Sequence, residues 1–207
     1  MKNTFWLGGS PCSGKSTLAQ SLTEQYELYY YECDKHYDDH IARANPAEHP
    51  VMCRLRAMGW NELWMRPVEE QVRDELAFYR EEFGMILEDL AALERGGKPV
   101  LLEGAALLPE LLHGIGVTAA QALYAVPTED FQRAQYARRP WIRGILAECI
   151  DPEQAFENWM ARDADFAREV ASSAQGLGYR VLLTDEDSSP EGTLHTAVAH
   201  FSLRLIG

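Results

Sequence analysis

Thr4-Phe-Trp-Leu-Gly-Gly9-Ser10-Pro11-Cys12-Ser13-Gly14-Lys15-Ser16-Thr17 decides the fold. Thr4 to Gly8 reads as a short buried strand and Gly9 to Ser13 as a turn. Lys15 to Gln25 reads as a helix, with Leu18, Ala19 and Leu22 at core spacing. Gly9 to Ser16 fits G-x-x-x-x-G-K-[ST] at every fixed position. The pattern has a mechanism. Such a turn points successive backbone N–H groups inward to cradle an anion. Glycine lets the backbone come close, and the helix that follows aims its positive end at the same place.

The reading is therefore a P-loop for ATP or another nucleoside triphosphate with Mg²⁺. Lys15 reaches the β and γ phosphates, the Ser16 hydroxyl ligates Mg²⁺, and Gly9 to Thr17 as a whole contact the nucleotide. Cys12 lies inside the loop. Either the loop amides and Lys15 lower its pKa and make it prone to oxidation, or it is a small residue that fits.

Outward from the loop, strands and helices alternate to the end of the chain. Leu28 to Glu32 and Pro99 to Glu103 read as the second and third strands, Ala122 to Val126 and Arg180 to Thr184 as the fourth and fifth. A helix opens after Cys33. Residues 45–50 read as a loop and residues 51–65 as mixed. A long helix follows Pro67, with Val68, Val72, Leu76, Tyr79, Phe83, Ile86, Leu90 and Leu93 on one stripe, and Arg95-Gly96-Gly97 stops it. Thr128, Asp151 and Ser189 read as helix starts. This alternation predicts a parallel sheet covered on both faces. The expectation is one domain over residues 1–207, with a helical acceptor-binding insertion at about 36–97 and a lid at about 137–152.

The net charge of −13 argues against a nucleic-acid partner. No apolar stretch is long enough to span a bilayer, and residues 1–8 lack a signal-peptide pattern. Cys12, Cys33, Cys53 and Cys149 show no metal-ligand spacing, which suits reduced thiols in a cytoplasmic protein, monomeric or homodimeric. His36 and His40 stand four apart without a third ligand, so zinc is not expected.

Pro99-Val-Leu-Leu-Glu103-Gly104 places an acid at the end of an apolar strand, where P-loop enzymes hold Mg²⁺. The alternative is an exposed strand-end carboxylate. With the loop, with Asp34 just after strand two, and with Arg138, Arg139 and Arg143 after strand four, the chain resembles the small-molecule and nucleotide kinases of the P-loop superfamily. Shikimate kinase, gluconate kinase, chloramphenicol phosphotransferase and the adenylate-kinase group share this layout. The resemblance implies a three-layer α/β/α fold, with five parallel strands in the order 2-3-1-4-5 and a helical lid. It implies that Asp34 meets the acceptor hydroxyl as base or Mg²⁺ partner, helix capping being the alternative. It implies that Arg138, Arg139 and Arg143 are lid arginines, with Arg139 and Arg143 meeting the R-x-x-x-R spacing.

Arg43, Arg54, Arg56 and Arg66 crowd the segment between strands two and three, with Trp60 and Trp64. Read as substrate contacts, Arg43, Arg54 and Arg56 suggest an anionic or aromatic acceptor. Read plainly, they pair with the many acids. The expected activity is transfer of the γ-phosphate to a hydroxyl or phosphate of a small molecule. A nucleoside or nucleotide kinase, a regulatory ATPase with little acceptor activity, and a polynucleotide end kinase are the alternatives, the last fitting the charge poorly.

Overall fold

A computed structural model of the chain describes residues 3–93 and 97–204. Five strands form one all-parallel sheet in the order β2-β3-β1-β4-β5. They are β1 (Thr4–Gly9), β2 (Tyr29–Glu32), β3 (Val100–Glu103), β4 (Ala122–Pro127) and β5 (Arg180–Thr184). This is the order expected from the resemblance.

Strand side chains alternate between two cores, as a period of two requires. Trp6, Leu102 and Tyr124 face one core, closed by α5 (Val68–Ala92), α6 (Pro109–Gly114) and α9 (Pro152–Gly176). Leu7, Leu101 and Leu123 face the other, under α1 (Lys15–Tyr26) and α10 (Pro190–Phe201). The central strands are apolar but for Thr4 and Glu103 at their ends, because neither face meets water.

Register sets the site. Leu7 and Glu32 both pair with Glu103. The carboxyl ends of β1, β2 and β3 therefore lie level, and the loop after β1, Glu103 and the start of α2 (Cys33–Arg43) share one edge. In open α/β sheets ligands bind outside that edge, where connections diverge to opposite faces.

Three helix starts stand where the sequence puts them. Thr128 accepts from Phe131 N before α7 (Glu129–Ala137), Asp151 from Gln154 N before α9, and Ser189 from Gly192 N before α10. Pro67 sits one residue ahead of α5. Arg95 and Gly96 lie outside the described residues, and Gly97 has φ +81°. Residues 51–65 resolve into α3 (Pro50–Arg56) and α4 (Trp60–Trp64). A further helix, α8 (Pro140–Leu146), begins after Arg138 and Arg139 and carries Arg143.

Gly9 has a steric reason beyond phosphate access. Its φ is +131°, and a Cβ there would stand 1.9 Å from the Ala125 carbonyl oxygen, the atom that accepts from Ser10 N at 3.1 Å. Gly9→Ala adds strain of about 1–3 kcal/mol to an overpacking cost of about 1–3 kcal/mol. We expect calorimetry to show a melting temperature lower by at least about 5 °C. A variant melting with the parent would refute this close approach.

Candidate active site

The loop is wound around one carbonyl. Ser10 O accepts from Lys15 Nζ at 2.7 Å and from Ser13 Oγ at 2.9 Å. Lys15 thus lies folded over the loop and buried, while Ser16 and Thr17, at the start of α1, are exposed. Gly14 has φ +79°, and Cys12, a residue with a side chain, has φ +64°.

Cys12 is not the reactive thiol that the loop amides suggested. Burial pushes its pKa up to about 11, and the charges of Arg139 and Lys15 only partly oppose that. It packs with Trp64, Tyr136 and Trp159 as a small core residue. A two-unit rise leaves about 10² less thiolate near neutrality. Iodoacetamide should therefore label Cys12 about 10²-fold more slowly than free cysteine at pH 7.5, read by mass spectrometry. Labelling at the rate of free cysteine would refute this.

A cavity of about 380 Å³ opens beside the loop. Cys12, Ser13, Gly14 and Thr17 line one side, Arg139 and Ser188 another. Arg139 lies with its guanidinium carbon 5.0 Å from the Tyr136 ring centre and 6.0 Å from that of Trp141. Arg138 and Arg143 are exposed and do not line this cavity. None of the three has a carboxylate partner among the described residues. In so acidic a chain, that leaves their charge free for an anion.

Glu103 is buried, at 2% exposure, so it is not a solvated strand end. Its Oε2 accepts from the Tyr30 hydroxyl at 2.9 Å. Burial raises its pKa, with Lys15 opposing and Asp34 and Glu32 adding. These groups therefore form one electrostatic cluster at the edge that register created. Asp34 stands in the first turn of α2, exposed, and makes no hydrogen bond or ion pair among the described residues. The cap position belongs to Glu32, so Asp34 does not cap the helix.

A second cavity, of about 630 Å³, has Asp34 in its wall. Asp34, Arg56 and Arg66 line it, with Tyr37, Trp60, Trp64, Phe78 and Tyr79. Arg43 and Arg54 do not. Arg43 pairs with Asp89 at 3.2 Å, and Arg54 grips Asp74 through both terminal nitrogens, at 2.7 and 3.0 Å. The plain reading of those two arginines, as partners of nearby acids, is the arrangement found.

Gln71, Glu75, Glu82 and Arg162 also line this cavity and escaped the sequence reading. For the three of these on α5 the signal was present. Gln71, Asp74, Phe78, Glu82 and Met85 are all buried and spaced by three and four, with buried Glu75 beside Asp74, a second stripe beside the apolar one. His40 closes its far end, fully buried, with Nδ1 2.9 Å from Glu82 and Nε2 3.0 Å from Asp89. Among the described residues no group of His, Cys, Asp and Glu has the makings of a metal cage.

No protein-family model matches the chain, and no curated protein does. Solved structures are similar in shape. Shikimate kinase from Acinetobacter baumannii, in complex with shikimate, is 15% identical with a TM-score of 0.48, over 97% of this chain and 92% of that one. Shikimate kinase from Aquifex aeolicus is 13% identical with a TM-score of 0.44, over 96% of each chain. Likeness of this degree adds nothing to the site; the three-layer α/β/α fold rests on this chain's own strand order and on the helices that cover both faces of its sheet.

Proposed function

We propose that the protein transfers the γ-phosphate of ATP to a hydroxyl of a small molecule. The observation that carries this reading is the place of Asp34. It lines the larger cavity, and its charge acts on Glu103, which also feels Lys15. A carboxylate without a partner thus stands between a phosphate loop and a second, roomy pocket.

The residues present suit Mg²⁺. The Ser16 hydroxyl and the carboxylates of Glu103 and Asp34 are hard oxygen donors, and a buried carboxylate such as Glu103 gains from a cation nearby. Ser16 and Glu103 would hold the ion, which supplies neutralisation of phosphate charge. The chain's own groups do the rest. The loop amides and Lys15 hold the β and γ phosphates. Arg139 reaches the loop cavity from the lid side. The acceptor oxygen attacks the γ phosphorus, the bond from phosphorus to the bridging oxygen breaks, ADP leaves with that electron pair, and Asp34 takes the hydroxyl proton.

The net charge of −13 supports a small acceptor over a nucleic acid. Among the described residues no helix is long and apolar enough to cross a membrane. Four free cysteines support a reducing, cytoplasmic setting. The test is a panel of hydroxyl-bearing metabolites scored for acceptor-dependent ADP release with Mg²⁺. A hit that depends on Asp34 is expected. ATP hydrolysis indifferent to every acceptor would move the reading to a nucleotide-binding regulatory ATPase.

A further inference from the structure

An anionic acceptor needs free guanidinium groups, and the larger cavity has little to offer. Arg66 is bound through Nη1 to Asp74, which Arg54 also holds, and its buried Nε is left without a hydrogen-bond partner among the described residues. Arg162 lies between Glu75 at 3.2 Å and Asp163 at 2.6 Å, its guanidinium carbon 4.8 Å from the Trp64 ring centre. Only Arg56 among the lining arginines lacks a carboxylate partner within the described residues, and its Nη1 donates to Ile41 O at 3.1 Å.

The lining acids are in the opposite condition. Glu75 and Glu82 are matched by Arg162 and His40. Asp34, Asp38 and Glu148 line the cavity without any cationic partner among the described residues. The balance is negative even before the protein's overall charge is added.

Two further features ask for a ligand that donates. Gln71 is 4% exposed, and its Nε2 donates to Trp64 O at 3.3 Å and Arg66 O at 2.8 Å. Those two carbonyls fix which end of the amide is which. Oε1 is left as a buried acceptor with no partner among the described residues, a state that costs free energy until a donor arrives. Aromatic rings meanwhile line the same space. Tyr37 stacks on Phe78 at 5.7 Å with 44% of its own surface exposed, and Trp60 is 39% exposed. Open aromatic faces beside carboxylates attract ammonium groups.

We propose that the acceptor is an amino alcohol bearing an aromatic or similarly flat apolar group, bound as its ammonium form. This rests on the phosphotransfer reading. The ring lies against Tyr37 and Trp60, the ammonium is held by the free carboxylates, and the hydroxyl is presented to Asp34. The free arginines the sequence promised for an anion are mostly taken, which turns the preference from anion to cation.

The test uses the full-length protein with Mg²⁺ and a non-hydrolysable ATP analogue, titrated calorimetrically with three matched probes. These are phenylethanolamine, its N-acetyl amide, and mandelate, which carry positive, zero and negative charge. The cation should bind at least about ten-fold tighter than the neutral amide, with mandelate weakest. In a variant carrying Asp38→Asn and Glu148→Gln the margin should shrink to under about three-fold, with analogue affinity and melting temperature unchanged. Mandelate binding as tightly as the amine, no ranking by charge, or no binding by any probe would overturn the inference. Parallel ADP release with ATP separates the two readings: tight amine binding without ADP release would overturn phosphotransfer and support the cation site.

Discussion

Lys15→Met is expected to lower turnover by about 10²–10³ while leaving the chain folded. The size follows from what the ammonium does. Charge spreads over the oxygens of the transferring group, and a fixed cation in a site shielded from water stabilises it far more than in bulk. Methionine keeps the stem volume, so packing loss is small, and the lost bond to Ser10 O is one charged hydrogen bond. A second signature separates this role from a structural one. Lys15 opposes the rise that burial imposes on the Glu103 carboxyl. A carboxylate that must be ionised to meet Mg²⁺ fails as pH falls through its pKa, so a raised pKa puts the acid limb above the ordinary glutamate range. Without Lys15 the carboxyl rises further, and the acid limb of the pH–rate profile should move to higher pH. Turnover within ten-fold of the parent, with an unmoved limb, would refute both parts.

Much of this site was legible because local rules and the fold agree. The phosphate loop is a fixed spacing with a strand before it and a helix after it. Thr128, Asp151 and Ser189 announce their helices through bonds to backbone three residues on. Glu103 was legible as a strand-end acid, but not as a buried one. That depends on Tyr30 and Lys15, which are distant in sequence and reach it only through the fold, Tyr30 by a hydrogen bond and Lys15 by its charge.

The acceptor side was less legible, for a different reason. Trp64 is placed by stacking on Trp159 at 3.9 Å, across ninety-five positions of chain. No periodicity within residues 51–65 could reveal that contact, and so the segment read as mixed. In α5 the apolar stripe drew attention away from the buried polar one beside it. Charged and amide side chains at helical spacing look like a solvated face until a neighbour covers them. Arg54 reads as an available cation until Asp74, twenty residues on, is seen between it and Arg66. Composition counts charges; only the fold pairs them.

Asp34→Asn is expected to lower turnover by about 10²–10⁴, with affinity for the nucleotide within about two-fold of the parent. The substitution is unusually clean. Asp34 is exposed and has no partner among the described residues, so its replacement breaks no native bond and should leave the melting temperature alone. What it removes is the carboxylate proposed to meet the acceptor hydroxyl. Two roles remain distinguishable. In a loose transition state the attacking oxygen keeps its proton until late, and a residue that only orients the hydroxyl does its work as a hydrogen-bond acceptor. Asparagine retains an acceptor oxygen; alanine does not. If Asp34 orients, Asp34→Asn should fall only about ten-fold and Asp34→Ala much further. If Asp34 takes the proton, both variants should fall together. Equal turnover in parent, Asn and Ala forms would remove Asp34 from the mechanism, and with it the observation on which the phosphotransfer reading stands.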